Sequence, residues 1–205
     1  MDEAFALEQL EKIKPEIIIG VDSGLSFLYH NRVMPTRIVG DFDSVPPEVI
    51  HYYRTETKVP IQEFLPEKDD TDTEIALRLA IDMGVSRLWI LGATGTRLDH
   101  VLANIQILTI AQEAGVFAYL LDRWNRVSLI EKEATLTREN AFGPYFSFFP
   151  LGGSIPGFSI QGAKYPLKDY VLSPYESRCV SNEFLEDEVR ITFPQGKVIL
   201  METRD

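Results

Sequence analysis

The hydrophobic pattern of this chain changes once, near Asp122, and that change limits its architecture more than any other feature. Before it, short apolar runs alternate with helical periodicity. Residues 17–21 (IIIGV), 37–40 (RIVG), 87–92 (RLWILG) and 116–121 (VFAYLL) read as strands, the first of the kind buried on both faces. Residues 73–83 read as a helix stopped by Gly84. Residues 100–114 read as another, stopped by Gly115, with Val101, Leu102, Ile105 and Leu108 on one face. Such alternation makes a mainly parallel α/β sheet. After Asp122 no helical period survives. Strand-like stretches at 127–136, 145–149, 158–161, 170–172, 188–193 and 197–202 are separated by turn signals, and 194–196 (PQG) reads as a hairpin-like connection. Six of the twelve prolines follow residue 143 and none lies between 67 and 143, so the second part also differs in composition. The expected fold is an α/β N-terminal domain with a mainly parallel sheet, residues 1–122, followed by an all-β sandwich-like C-terminal domain, residues 123–205.

Charge narrows the function classes. With 20 Lys and Arg against 31 Asp and Glu, the net charge is −11. That disfavours nucleic acid as a partner, because phosphate binding needs basic surface, and it disfavours an anionic membrane surface. No apolar run approaches the ~20 residues that span a bilayer. The N-terminus is acidic and amphipathic, unlike a secretory signal. One cysteine, Cys179, excludes an internal disulfide framework and a cysteine-rich zinc site, and points to a reducing, cytoplasmic setting.

Four motifs carry the candidate chemistry. In 40–44 (GDFDS) two carboxylates, Asp41 and Asp43, follow an apolar strand, where ligands bind in open α/β sheets. Hard oxygens suit Mg²⁺, which takes one or two carboxylates plus substrate phosphates; a turn cap before two prolines would use the same residues. In 21–24 (VDSG), Asp22 again follows a strand, and either a ligand site or a capped helix start accounts for it. In 67–74 (EKDDTDTE), Thr71 and Glu74 have the spacing of a helix capping box. Asp69, Asp70 and Asp72 exceed what a cap requires, and like charges this close repel unless a cation or exposure relieves them. In 91–100 (LGATGTRLDH), a strand ends in a loop holding Thr94, Gly95 and Thr96, and a helix begins near Asp99. Loop amides, a helix start and Arg97 make an anion site, although the pattern is neither the P-loop nor GxGxxG. His100 reads as structural. Seven aspartates (Asp22, Asp41, Asp43, Asp69, Asp70, Asp72 and Asp99) thus lie at or just after probable strand ends, which in a parallel sheet share one edge. Carboxylates holding Mg²⁺ beside a phosphate-receiving loop describe phosphoryl or nucleotidyl transfer.

With these motifs in order, the chain resembles the thiamin pyrophosphokinase family, whose members move the diphosphate of ATP onto thiamin. The matching stretches are GVDSGLSFLY, VGDFDSV, EKDDTDTEIAL and LGATGTRLDHVLANIQ, with GAKYPL and CVSNEF further on. The resemblance implies an N-terminal catalytic domain that binds ATP and Mg²⁺ and a C-terminal β-sandwich that binds thiamin. It also implies a homodimer, with thiamin between the catalytic domain of one subunit and the β-domain of the other. Asp41 and Asp43 match the family's Mg²⁺-binding pair, Asp22 the acidic position of the first motif, and Asp69, Thr71 and Asp72 its D-x-T-D. Arg97 and Asp99 match its R-x-D near the ATP phosphates, beside the loop of Thr94, Gly95 and Thr96. Tyr165 stands where the family has an aromatic that stacks on thiamin, and Ser181 and Asn182 match its Ser-Asn pair near the pyrimidine. The expected metal set is Asp22, Asp41, Asp43 and Asp72, and the expected catalytic set Asp43, Asp72 and Arg97. Two departures stand out. Thr96 replaces a second glycine before the arginine, and the chain opens with what reads as the helix that follows the family's first strand and Gly-rich turn.

Two other readings fit parts of the sequence. IVGDFDSV also suits a Mg²⁺-dependent phosphohydrolase of the haloacid dehalogenase type, with Asp41 as nucleophile. A non-catalytic nucleotide- or cation-binding module would need only the acids.

Overall fold

The computed structural model describes residues 1–65 and 69–205. Glu67 and Lys68 of the third motif lie outside the described residues. The chain divides into two compact units, Met1–Val116 and Phe117–Asp205.

In the first unit the order is α1 (Glu3–Ile13), β1 (Ile19–Val21), α2 (Gly24–His30), β2 (Arg37–Gly40), α3 (Pro47–Thr55), β3 (Ile61–Glu63), α4 (Asp72–Asp82), β4 (Arg87–Leu91), α5 (Leu98–Gln106) and α6 (Leu108–Glu113). Strands β1, β2 and β3 form a parallel sheet in that order, Gly20 pairing with Ile38 and Val39 with Gln62. The parallel α/β expectation is met. Ile38 and Val39 are fully buried, as a strand covered on both faces requires. Ala6 of α1, Leu25 of α2, Val49 of α3 and Ile38 share one core, on which Leu91 at the end of β4 also packs. Asp2 starts α1 by accepting from the Phe5 amide at 3.0 Å. Burial lifts the Tyr53 phenol to about 12, with Tyr52 and Tyr29 adding to the effect.

The structure corrects several boundaries here. The helix expected at 100–114 is two helices, broken at Ile107. Leu102, expected on the apolar face, is exposed, while Ile105 and Leu108 are buried. The α5 helix starts at Leu98, one residue before the start expected near Asp99, which puts Asp99 in its first turn.

The second unit contains β5 (Phe117–Leu121), β6 (Asn125–Ile130), β7 (Glu133–Thr137), β8 (Tyr145–Leu151), β9 (Ile155–Gln161), β10 (Leu167–Leu172), β11 (Asn182–Glu183), β12 (Glu188–Thr192) and β13 (Lys197–Thr203). One antiparallel sheet runs β10-β9-β12-β7, and β11-β8-β13-β6-β5 are neighbours in the other. Phe146, Phe148 and Leu200 from one sheet meet Phe158, Ile160 and Ile191 from the other in a single core. That interdigitation is what defines a sandwich. Phe148 and Phe158 meet edge to face at 5.5 Å.

Strand β5 runs antiparallel to β6, so this apolar run belongs with the β-strands that follow it. The stretch expected as one strand at 127–136 is two strands in different sheets, and Lys132, with φ 66°, turns the chain between them. Residues 194–196 are likewise no hairpin, because β12 and β13 belong to different sheets. Glu202 is buried on β13, where Arg126 opposite it donates through Nε at 2.7 Å and Nη2 at 2.6 Å.

Candidate active site

The ends of β1 and β2 and the start of α4 build the acidic centre. Asp22 follows β1 directly, and its amide donates to Val39 O at 3.4 Å, extending the ladder by one residue. Its φ of 41° then turns the chain into α2. Asp41 follows β2. Asp72 is the first residue of α4, whose Thr71 caps it by accepting from the Glu74 amide at 3.3 Å. Glu74 itself pairs with Arg78 at 2.6 Å, so the capping box is closed from the threonine side alone. The α4 helix lies against β1 and β2, and this brings Asp72 to the same sheet edge.

One carboxylate oxygen from each of Asp22, Asp41 and Asp72 lies within 4.8 Å of the other two, and all three residues are half-buried. Gly40 makes the approach possible. Its φ is +155°, and a Cβ there would overlap Oδ1 of Asp22. Three carboxylates held this close repel one another unless a cation sits among them. An all-oxygen donor set is the chemistry of a hard divalent ion, so the residues present fit such a metal.

Asp43 stands outside this group. Phe42, between the two aspartates, takes φ 62° and buries its ring in the core. The result is an Asx turn in which the Asp43 amide donates to Asp41 Oδ1 at 3.2 Å, with Asp43 exposed. Asp69 is exposed as well.

The loop after β4 is the second component. Thr94 is half-buried, and Gly95, Thr96 and Arg97 are exposed. Arg97 holds Asp99 through Nε at 3.2 Å and Nη2 at 2.6 Å, and Asp99 Oδ1 also accepts from the His100 amide. These hydrogen bonds, the guanidinium's first, lower the Asp99 carboxyl to about 2, and the same pairing raises Arg97. A buried residue that sequence reasoning passed over, Asn104, donates from Nδ2 to Ala93 O at 2.9 Å and pins this loop to α5. A polar residue at the centre of an otherwise apolar helix face was the available signal.

In the second unit Tyr165 is exposed, with the Lys164 ammonium over its ring at 5.6 Å from the centroid. Lys164 also pairs with Glu183 at 2.6 Å, which raises its own ionisation above the usual lysine value. Ser181 is exposed at φ 55°, its amide donating to Ser147 Oγ at 3.0 Å, and Asn182 is buried.

Fold and site together define a class: a two-part protein whose α/β unit gathers carboxylates at its strand ends and whose second unit is a β-sandwich. Residues 9–120 match the family described as thiamin pyrophosphokinase, catalytic domain, and residues 133–198 match thiamin pyrophosphokinase, vitamin B1 binding domain. The chain is 30% identical over 188 residues to thiamine pyrophosphokinase of Bacillus subtilis, covering 91% of this chain and 87% of that protein. The crystal structure of thiamine pyrophosphokinase from Bacillus subtilis superposes with a TM-score of 0.87 at 28% identity, over 96% of this chain and 92% of that one. Its counterpart from Geobacillus thermodenitrificans superposes at 0.83 with 30% identity, over 96% and 91%. The chain belongs to the thiamin pyrophosphokinase family.

Proposed function

We propose that this chain transfers the diphosphate of ATP to the primary hydroxyl of thiamin, giving thiamin diphosphate and AMP. The hydroxyl oxygen bonds to the β-phosphorus, the bond from the α–β bridging oxygen to that phosphorus breaks, and AMP leaves with the bridging oxygen. The observation that carries this reading is the convergence of Asp22, Asp41 and Asp72 at the strand ends of a chain in this family. These three would hold a divalent cation, Mg²⁺ in this reading, and it would supply charge neutralisation for the phosphates.

Each remaining role falls to residues of this chain. Asp43, exposed beside the triad, takes the proton of the thiamin hydroxyl. Arg97, its plane fixed by Asp99, and the amides of Thr94, Gly95 and Thr96 steady the nucleotide phosphates, with Asp69 and Thr71 on the same substrate. Catalysis of this kind is mostly positioning and electrostatics. Tyr165 and Ser181 meet thiamin, with the buried Asn182 on the same side of the second unit. An aromatic face suits a cationic ligand, by about 0.5–2 kcal/mol. The working form is a homodimer, as the family resemblance implies, in the reducing cytoplasmic setting that a single cysteine suits.

The test is AMP release from ATP and Mg²⁺, measured with and without thiamin. Release that needs thiamin supports the proposal, and thiamin-independent phosphate release refutes it. A phosphoaspartate trapped at Asp41 would favour the phosphohydrolase alternative.

A further inference from the structure

Tyr165, one of the exposed aromatics of the second unit, is held by a closed set of polar contacts. Asn182 is 3% exposed, and its side-chain amide is committed to backbone. Oδ1 accepts from the Tyr165 amide at 3.0 Å and from the Glu183 amide at 2.9 Å, while Nδ2 donates to Tyr165 O at 2.9 Å. The side chain thus grips both polar groups of one peptide residue, as a neighbouring strand would. The grip is continued by the Lys164 amide donating to Glu183 O at 2.9 Å and by a bridge between Ala163 and Phe184. These contacts consume the acceptor capacity of Asn182 and one of its two donor hydrogens. What they fix in place is Tyr165, a residue that remains 57% exposed.

We infer that Asn182 is a positioning residue: it serves thiamin recognition by fixing the backbone that carries the Tyr165 ring, and it does not touch thiamin. The inference rests on the reading that Tyr165 faces thiamin. A ring mounted on a backbone held from both sides is pre-organised, and loss of the mount costs affinity for the stacked ligand while leaving the phosphate chemistry unchanged.

The test is a double-mutant cycle on steady-state kinetics of the full chain. Asn182→Asp keeps the shape and the acceptor but sets a carboxylate oxygen against Tyr165 O. It should raise the thiamin KM roughly tenfold, with kcat and the ATP KM changed by less than about twofold. In a Tyr165→Ala background the same change should add less than about twofold, because there is no ring left to place. Multiplicative effects in the cycle overturn the inference, since they mean that Asn182 contacts thiamin directly. An unchanged thiamin KM in Asn182→Asp, with a raised one in Tyr165→Ala, overturns the inference alone. An unchanged thiamin KM in Tyr165→Ala overturns the reading beneath it. Equal losses in kcat and in both KM values, together with a lowered melting temperature, mark a merely structural role and also overturn it. Should the buried carboxylate prevent folding, Asn182→Ala introduces no charge and is judged by the same outcomes.

Discussion

Gly40→Ala should weaken metal binding without replacing a carboxylate. Two effects act at this position. A non-glycine residue at φ +155° is strained by about 1–3 kcal/mol. For a chain of this size each kcal/mol lowers the melting temperature by roughly 2–4 °C, so a drop of several degrees is expected. The second effect is local. The new methyl group would overlap Asp22 Oδ1, so that carboxylate must leave its present place beside Asp41 and Asp72. Losing the placement of one ligand in a metal site typically costs about 10–100-fold in metal affinity. The assay is turnover titrated with Mg²⁺ at a temperature well below melting. The half-saturating Mg²⁺ concentration should rise by that factor, and kcat at saturating Mg²⁺ should be largely regained. A variant that melts lower but shows the wild-type Mg²⁺ titration would refute the reasoning, because it would separate backbone strain from the acid cluster.

Asn104→Ala removes the bond to Ala93 O and should raise the ATP KM by roughly threefold to tenfold while sparing the thiamin KM, as read from initial rates in each substrate. Asp99 is held down to about 2 by Arg97, so the pair is intact at neutral pH and is lost only as pH falls through that value. Because the folded-state value lies below the ordinary one, whatever stability the pair confers is present above the ordinary carboxylate range and fades in strong acid. In an NMR titration Arg97→Ala should return the Asp99 carboxyl toward 3.8, and a titration still near 2 would contradict the assignment. Glu202→Gln leaves the partly exposed Arg126 facing a neutral partner, and losing the charged hydrogen bonds should cost about 1.5–3 kcal/mol in denaturant unfolding.

Much of this architecture was legible because it is local. The run RIVG is β2 as read, and its buried Ile38 and Val39 follow from an uninterrupted apolar stretch. Thr71 announced the start of α4 because a cap is a short-range bond. Strand β3 escaped notice, since Ile61–Glu63 has three residues and two of them are exposed and polar. Its strand character comes from pairing with β2, which the segment itself does not encode. The sheet crossings at Lys132 and at residues 194–196 were missed for a related reason: a turn residue marks where the chain bends, not which sheet receives the next strand.

The acidic cluster shows the same division. Sequence spacing brought Asp41 and Asp43 forward as a pair. The buried ring of Phe42 and its left-handed backbone separate their roles, and Asp22 and Asp72 join Asp41 from distant positions. Asn104 showed in the sequence only as a polar residue on an apolar helix face, and Asn182 only as half of a Ser-Asn pair; the backbone group that each holds lies in a different element, which spacing does not reveal.

The most direct measurement follows the phosphorus atoms. With ATP labelled at the β-phosphorus and thiamin present, the label should appear in thiamin diphosphate, with one AMP formed for each product molecule. Label released as inorganic phosphate, or left in ADP while thiamin stays unmodified, would contradict the proposed reaction.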